Sequence, residues 1–147
     1  MNRWKAASLV HAAFVFSMFG YPDSELGVAA RYPAAHAAER NVASFRTITS
    51  AQLASMLLQK DFLFVNVHVP YEGEIKDTDA FIPFDQIAEN LDKLPGDKNA
   101  TIVLYCRSGR MSEIAAQELA KLGYTRVAHL SGGMIDWKKN GHEVLEN

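Results

Sequence analysis

The sequence predicts an α/β domain in which a mainly parallel central sheet is flanked by helices on both faces. Three observations carry that reading. From Phe45 onward, strand-like and helix-like segments alternate, the order that builds βαβ units. Two of the strand-like segments, residues 62–67 and 101–105, are almost continuously apolar. A strand without polar alternation is buried on both faces, as a parallel sheet requires. The chain has 147 residues, 48% hydrophobic and 22% charged, a size and balance that suit one domain with its own core.

Taken in order, Phe45-Arg46-Thr47-Ile48 reads as a short entry strand. Thr49 or Ser50 can cap the helix predicted over residues 51–59, whose Leu53, Met56 and Leu57 share one face. The buried strand 62–67 follows and stops at Pro70. Residues 71–83 read as a polar loop. Over residues 84–94, Ile87, Leu91 and Leu94 are spaced for a helix, and Pro95-Gly96-Asp97 turns the chain. The strand 101–105 leads to a helix over 112–122, rich in Ala and Leu, with Gly123 at its left-handed end. A strand over 126–130 and the turn Ser131-Gly132-Gly133 precede a last short helix carrying Ile135 and Trp137.

The first forty residues have a different character. Arg3 and Lys5 precede an apolar stretch over 6–19, interrupted only by Ser8, His11 and Ser17. That pattern reads as a secretory signal peptide, and Ala35-His36-Ala37 is its best small-x-small cleavage motif. Residues 1–37 are therefore expected to be a signal peptide or disordered leader, 38–44 a linker, and 45–147 the folded domain. The expected location is periplasmic or otherwise exported; the alternative is an uncleaved tail on a cytoplasmic protein. The apolar run falls short of a full membrane span, so no stable span is expected after processing.

Charge and cysteine content narrow the chemistry. Fifteen basic against 17 acidic residues give a net charge of −2 with His neutral. Broad nucleic-acid binding needs a strongly basic face, so no nucleic-acid partner is expected. One cysteine excludes an internal disulfide framework and any Cys-rich zinc or iron–sulfur site. His11, His36, His68, His129 and His142 are scattered without metal-ligand spacing.

That single cysteine, Cys106, stands at the carboxyl end of a predicted buried strand, where open α/β sheets bind their ligands. It is followed by Arg107-Ser108-Gly109-Arg110-Met111-Ser112 and then a helix. Small residues let such a loop curl so that backbone N–H groups point inward as an anion nest. The helix start adds positive potential, and Arg107 and Arg110 add formal charge. Each feature favours thiolate over thiol and would hold an oxyanion beside the sulfur. The competing account is a buried structural cysteine, common for a lone one. Two arginines within four positions weigh against it, because arginine is almost never buried without an anionic partner.

The segment Tyr105-Cys106-Arg107-Ser108-Gly109-Arg110-Met111-Ser112 resembles the active-site loop of rhodanese-type sulfurtransferases. Leu130-Ser131-Gly132-Gly133-Met134-Ile135-Asp136-Trp137 is similar to that family's carboxyl-terminal signature of a Gly pair followed by Trp. The resemblance covers roughly residues 45–147. It implies a rhodanese-like fold and a thiosulfate sulfurtransferase-like activity through a persulfide on Cys106. A small anionic donor such as thiosulfate would load the sulfur, and cyanide or a thiol would take it. Residues 107–112 would bind the substrate, and neither cofactor nor metal is implied.

Departures from the family's pattern are equally legible. Members often carry Asp-x-Arg at the end of the second core strand, where this chain has Asn66-Val67-His68. The Gly-His-Ile element is replaced by Glu72-Gly73-Glu74-Ile75, and Met111 stands where many relatives have Arg. A second reading is a sulfur carrier or docking module serving one protein partner; a third is a redox sensor. A cysteine phosphatase or arsenate-type enzyme is a weaker reading, because it needs Arg six residues after Cys, where Ser112 stands. His68 lies at a strand end, where a pocket role is open. His129 reads as a satisfied core histidine, and Glu72 and Glu74 as solvated loop charges. Tyr71 and Phe81 either rim the pocket or cover the core, and Gly132 and Gly133 let the backbone pass close to the cysteine loop.

Overall fold

The computed structural model describes residues 44–146. The expected leader and nearly all of the expected linker lie outside the described residues. Strand β1 (Arg46–Ile48) leads to helix α1 (Ser50–Leu57), whose start is built by a reciprocal cap. Thr49 Oγ1 accepts from the Gln52 amide while Gln52 Oε1 accepts from the Thr49 amide, which satisfies two otherwise orphaned donors. Strand β2 (Leu63–Asn66) is followed by two-residue strands β3 (Glu74–Ile75) and β4 (Ala80–Phe81). A 3-10 helix (Ala88–Lys93) precedes β5 (Ile102–Tyr105) and α2 (Arg110–Lys121). The chain then forms β6 (Val127–Leu130), α3 (Gly133–Lys139) and β7 (Val144–Leu145).

The main sheet has the order β1-β6-β5-β2-β4 with every pairing parallel. The alternating side chains of β5 feed two cores. Ile102 and Leu104 meet Ala115, Ala116 and Leu119 of α2 with Ile87 and Leu94, whereas Val103 and Tyr105 meet Leu53 of α1 and Met134 and Trp137 of α3. Each fully buried Leu, Ile or Phe is stabilised by about 1.5–3 kcal/mol, so two-sided burial is what holds these short strands flat between helices. The expected α/β architecture is the observed one. Among the described residues no helix is long and apolar enough to cross a membrane.

Two local expectations are corrected. Residues 84–94 do not form an α-helix: Gln86, Glu89, Asn90 and Leu94 each donate to the carbonyl three residues back. The Phe84 amide is already committed to the Val67 carbonyl, and Asn90 Nδ2 takes the Gln86 carbonyl. The stretch 71–83 is not merely loop. It carries β3, which pairs antiparallel with β7, and β4, which pairs with β2 at the edge of the main sheet. Two-residue strands have no periodicity to read, and these are specified by distant partners. Helix α2 also starts two residues earlier than expected, directly on Gly109.

Candidate active site

Strand β5 ends at Tyr105, so Cys106 is delivered to the carboxyl edge of the sheet at its centre. The sulfur accepts the Gly109 backbone N–H at 3.1 Å. Gly109 reaches it with φ at 97°, a left-handed conformation that only glycine adopts readily. The outer side of the loop is tied down by the start of α3. Met134 N–H donates to the Cys106 carbonyl at 2.9 Å and Ile135 N–H to the Arg107 carbonyl at 3.0 Å. With those carbonyls turned towards α3, the loop presents the Gly109 N–H to the sulfur. The Gly pair makes this docking possible. A Cβ on Gly133 would stand 2.2 Å from the Cys106 carbonyl oxygen, and one on Gly132 2.5 Å from Asp136 Cβ. The expected close passage of Gly132 and Gly133 is thus present, between the cysteine loop and α3.

On the inner side, Ser112 Oγ lies 3.7 Å from the sulfur, 2.9 Å from the Gly109 carbonyl and 3.3 Å from His129 Nδ1. His129 Nε2 is in turn 3.1 Å from Thr47 Oγ1. A hydroxyl has one hydrogen and two lone pairs. Facing a thiol, Ser112 accepts from sulfur while donating to Gly109; facing a thiolate, the same hydroxyl can rotate and donate to sulfur. Burial holds His129 below its ordinary pKa, opposed by the Glu113 charge and the nearby Gly109 carbonyl, so the ring favours its neutral form. His129 is the satisfied core histidine expected, and it also braces the hydroxyl beside the sulfur. The signal was available: a polar side chain in an apolar strand needs buried partners, and His129 pairs across from Leu104, two residues before Cys106.

A second loop, after β2, faces the cysteine loop. Val67 N–H bonds the Tyr105 carbonyl, which continues the Asn66–Tyr105 register and brings His68 alongside Arg107. Buried Asn66 donates Nδ2 to the Gly73 carbonyl at 2.9 Å and accepts the His68 amide at 3.0 Å. The amide side chain therefore does what a carboxylate cannot, donating and accepting at once. Tyr105, whose hydroxyl is pushed well above its usual range by burial, takes the Ile75 amide at 3.0 Å and meets Thr78 Oγ1 at 2.7 Å. Glu72 Oε2 stands 3.3 Å from His68 Nε2 and 3.4 Å from Arg107 Nε. Glu72 is accordingly not a free solvated charge, and His68 stands beside the cysteine loop.

The residues read from sequence separate into distinct positions. Gly109 and Ser112 contact or approach the sulfur. Arg107, Ser108 and Arg110 are exposed around it, and Met111 is half-buried against the core cluster that contains Cys106. Cys106 itself is 1% exposed, covered by the side chains at the rim of the loop. Tyr71 and Phe81 pack edge to face at 5.5 Å and stand half-exposed. Among the described residues no group of His, Cys, Asp or Glu is arranged to hold a metal ion.

A thiol at the carboxyl end of a central parallel strand, wrapped by a glycine-bearing loop that hands over to a helix, defines the class of cysteine-loop α/β domains. The family model described as Rhodanese-like domain matches residues 50–140, and the chain belongs to that family. A sulfurtransferase of Allochromatium vinosum is 36% identical over 102 residues, covering 67% of this chain and 92% of its own. A tRNA uridine(34) hydroxylase of Erwinia tasmaniensis is 29% identical over 102 residues; the match covers 65% of this chain and 29% of that protein. The crystal structure of a rhodanese-related protein from Thermoplasma volcanium superposes with a TM-score of 0.58 at 25% identity, covering 68% of this chain and 97% of that one. The chain is thus a rhodanese-like domain with sulfurtransferase homologues.

Proposed function

We propose that the protein moves sulfane sulfur through a persulfide on Cys106. The observation that carries this reading is the Gly109 amide donating to the sulfur at 3.1 Å, with the Cys106 and Arg107 carbonyls drawn away by α3. A backbone N–H aimed at Sγ stabilises the negative charge that gathers on this sulfur as it attacks the donor and as it leaves at the end of transfer. The Cys106 thiolate attacks the outer sulfur of a donor such as thiosulfate. A new S–S bond forms, the donor's S–S bond breaks, and sulfite departs with the electron pair. Cyanide or an acceptor thiolate then attacks the terminal sulfur and Cys106 leaves as thiolate, so the two half-reactions alternate. A hydroxyl at Ser112, engaged with Gly109 and His129, supplies no guanidinium fork for phosphate, which favours sulfur transfer over phosphate chemistry. The basic start and short apolar run of the leader support export as the setting of this reaction.

Intact mass tests the reading directly. Incubation with thiosulfate is expected to add one sulfur atom, cyanide to remove it as thiocyanate, and Cys106→Ser to abolish both. Failure of thiosulfate and of organic persulfides to add sulfur to folded protein overturns the proposal. A carrier role, with slow turnover on small thiols but fast transfer to one protein, is the second reading. The 1% exposure of Cys106 favours it, since a docked partner can displace the rim.

A further inference from the structure

Resting on the persulfide reading above, we infer that Glu72 is a specificity-determining residue that biases the site against small dianionic donors and towards persulfide donors of lower charge. The cysteine loop is flanked by two exposed guanidiniums, but they are not equivalent. Arg107, 58% exposed at its side chain, has its Nε 3.4 Å from Glu72 Oε2. Among the described residues Arg110 has no carboxylate within ion-pair distance. The two guanidinium charges beside the cysteine loop are therefore opposed by the one carboxylate of Glu72. Lys138 and Glu146, which line the same open cleft as Glu72 and Arg107, pair with each other and leave that balance unchanged.

Glu72 is flanked from beneath by a buried ring. His68 is 8% exposed at its side chain, and neither ring nitrogen has a hydrogen bond of good geometry. The carboxylate facing it is Glu72, at 3.3 Å from Nε2. A buried imidazole without another partner favours retention of that contact, and Asn66 fixes the His68 backbone. The same carboxylate oxygen thus faces a buried ring on one side and the loop's first arginine on the other. An exposed ion pair adds little to stability, but a negative charge beside the cysteine loop acts on every incoming anion. A donor bearing two charges meets twice the repulsion of a donor bearing one. An organic persulfide, whose thiolate leaves in place of sulfite, delivers the same sulfur with less charge.

The test compares thiosulfate with the persulfide of 2-mercaptoethanol as donors, using cyanide as acceptor, in the full-length wild-type, Glu72→Gln and Glu72→Asp proteins. The ratio of kcat/KM for thiosulfate to that for the persulfide is expected to rise about fivefold or more in Glu72→Gln, mainly through KM for thiosulfate. The ratio is expected to stay near the wild-type value in Glu72→Asp, which keeps the charge. Higher salt is expected to shrink the difference between wild type and Glu72→Gln. An unchanged ratio in Glu72→Gln, with Cys106 still gaining sulfur by mass, overturns the inference and leaves the persulfide reading standing. Equal loss with both donors in both variants assigns Glu72 a structural role and overturns it as well. If neither donor adds sulfur to wild-type Cys106, the persulfide reading itself falls, and this inference with it.

Discussion

The two loops at the carboxyl edge of the sheet sit on neighbouring strands yet are held by opposite means. The loop after β5 is shaped by backbone: Gly109 turns onto the sulfur, and the carbonyls of Cys106 and Arg107 are captured by the first amides of α3. The loop after β2 is shaped by side chains: Asn66, Tyr105 and Thr78 tie it through bonds to Gly73, His68 and Ile75. A backbone-held loop tolerates change in its outward side chains but not in its glycines. A side-chain-held loop depends on a few polar atoms, each needing one particular chemistry.

The sharpest way to break that contrast is Gly133→Ala. Its Cβ would stand 2.2 Å from one backbone atom and 2.6 Å from others, at φ 56°. A destabilisation of about 3–5 kcal/mol is expected, read as a lowered urea midpoint, with loss of sulfur loading on Cys106. A mild effect on both would show that α3 does not hold the loop. Asn66→Asp should rank next, at about 2–4 kcal/mol by thermal or urea unfolding, because a buried carboxylate would face the Gly73 carbonyl with nothing to donate. Wild-type stability in that variant would remove the side-chain account of the second loop.

A smaller effect is expected from His129, which braces the first loop by a side chain. Its pKa is lowered by burial from an ordinary 6.5, so the unfolded chain binds a proton that the folded state resists. The neutral ring's contribution is present above pH 6.5 and is lost as pH falls towards the lowered folded value, where the decline levels off. Urea midpoints between pH 7.5 and 5.5 should fall with pH in the wild type and fall less steeply in His129→Asn. Parallel slopes would assign the pH dependence elsewhere.

The same contrast explains what could be read in advance. The backbone-held loop was legible, because its requirements are written locally: Cys106 at a strand end, Gly109 three residues on, a Gly pair before Trp137. The alternation of buried strands and helices was legible for the same reason. The side-chain-held loop was not, because Asn66 meets Gly73 only after the chain folds back, and β3 finds β7 some seventy residues away. Glu72 looked like an ordinary surface acid because its partners, His68 and Arg107, come from two different strand ends. Residues 84–94 carried a helical spacing of apolar side chains, but the hydrogen bonds of Phe84 and Asn90 drew the backbone into tighter turns.

The depth of the cysteine has one more consequence. A sulfur atom bonded to Sγ in the proposed persulfide would stand about 2 Å from it, so even the cargo would begin within the loop's reach. The thiol rests beneath the surface, 1% exposed, and is screened from bulky oxidants. Such burial would guard the nucleophile between turnovers and leave only a reactant that fits the loop able to reach it.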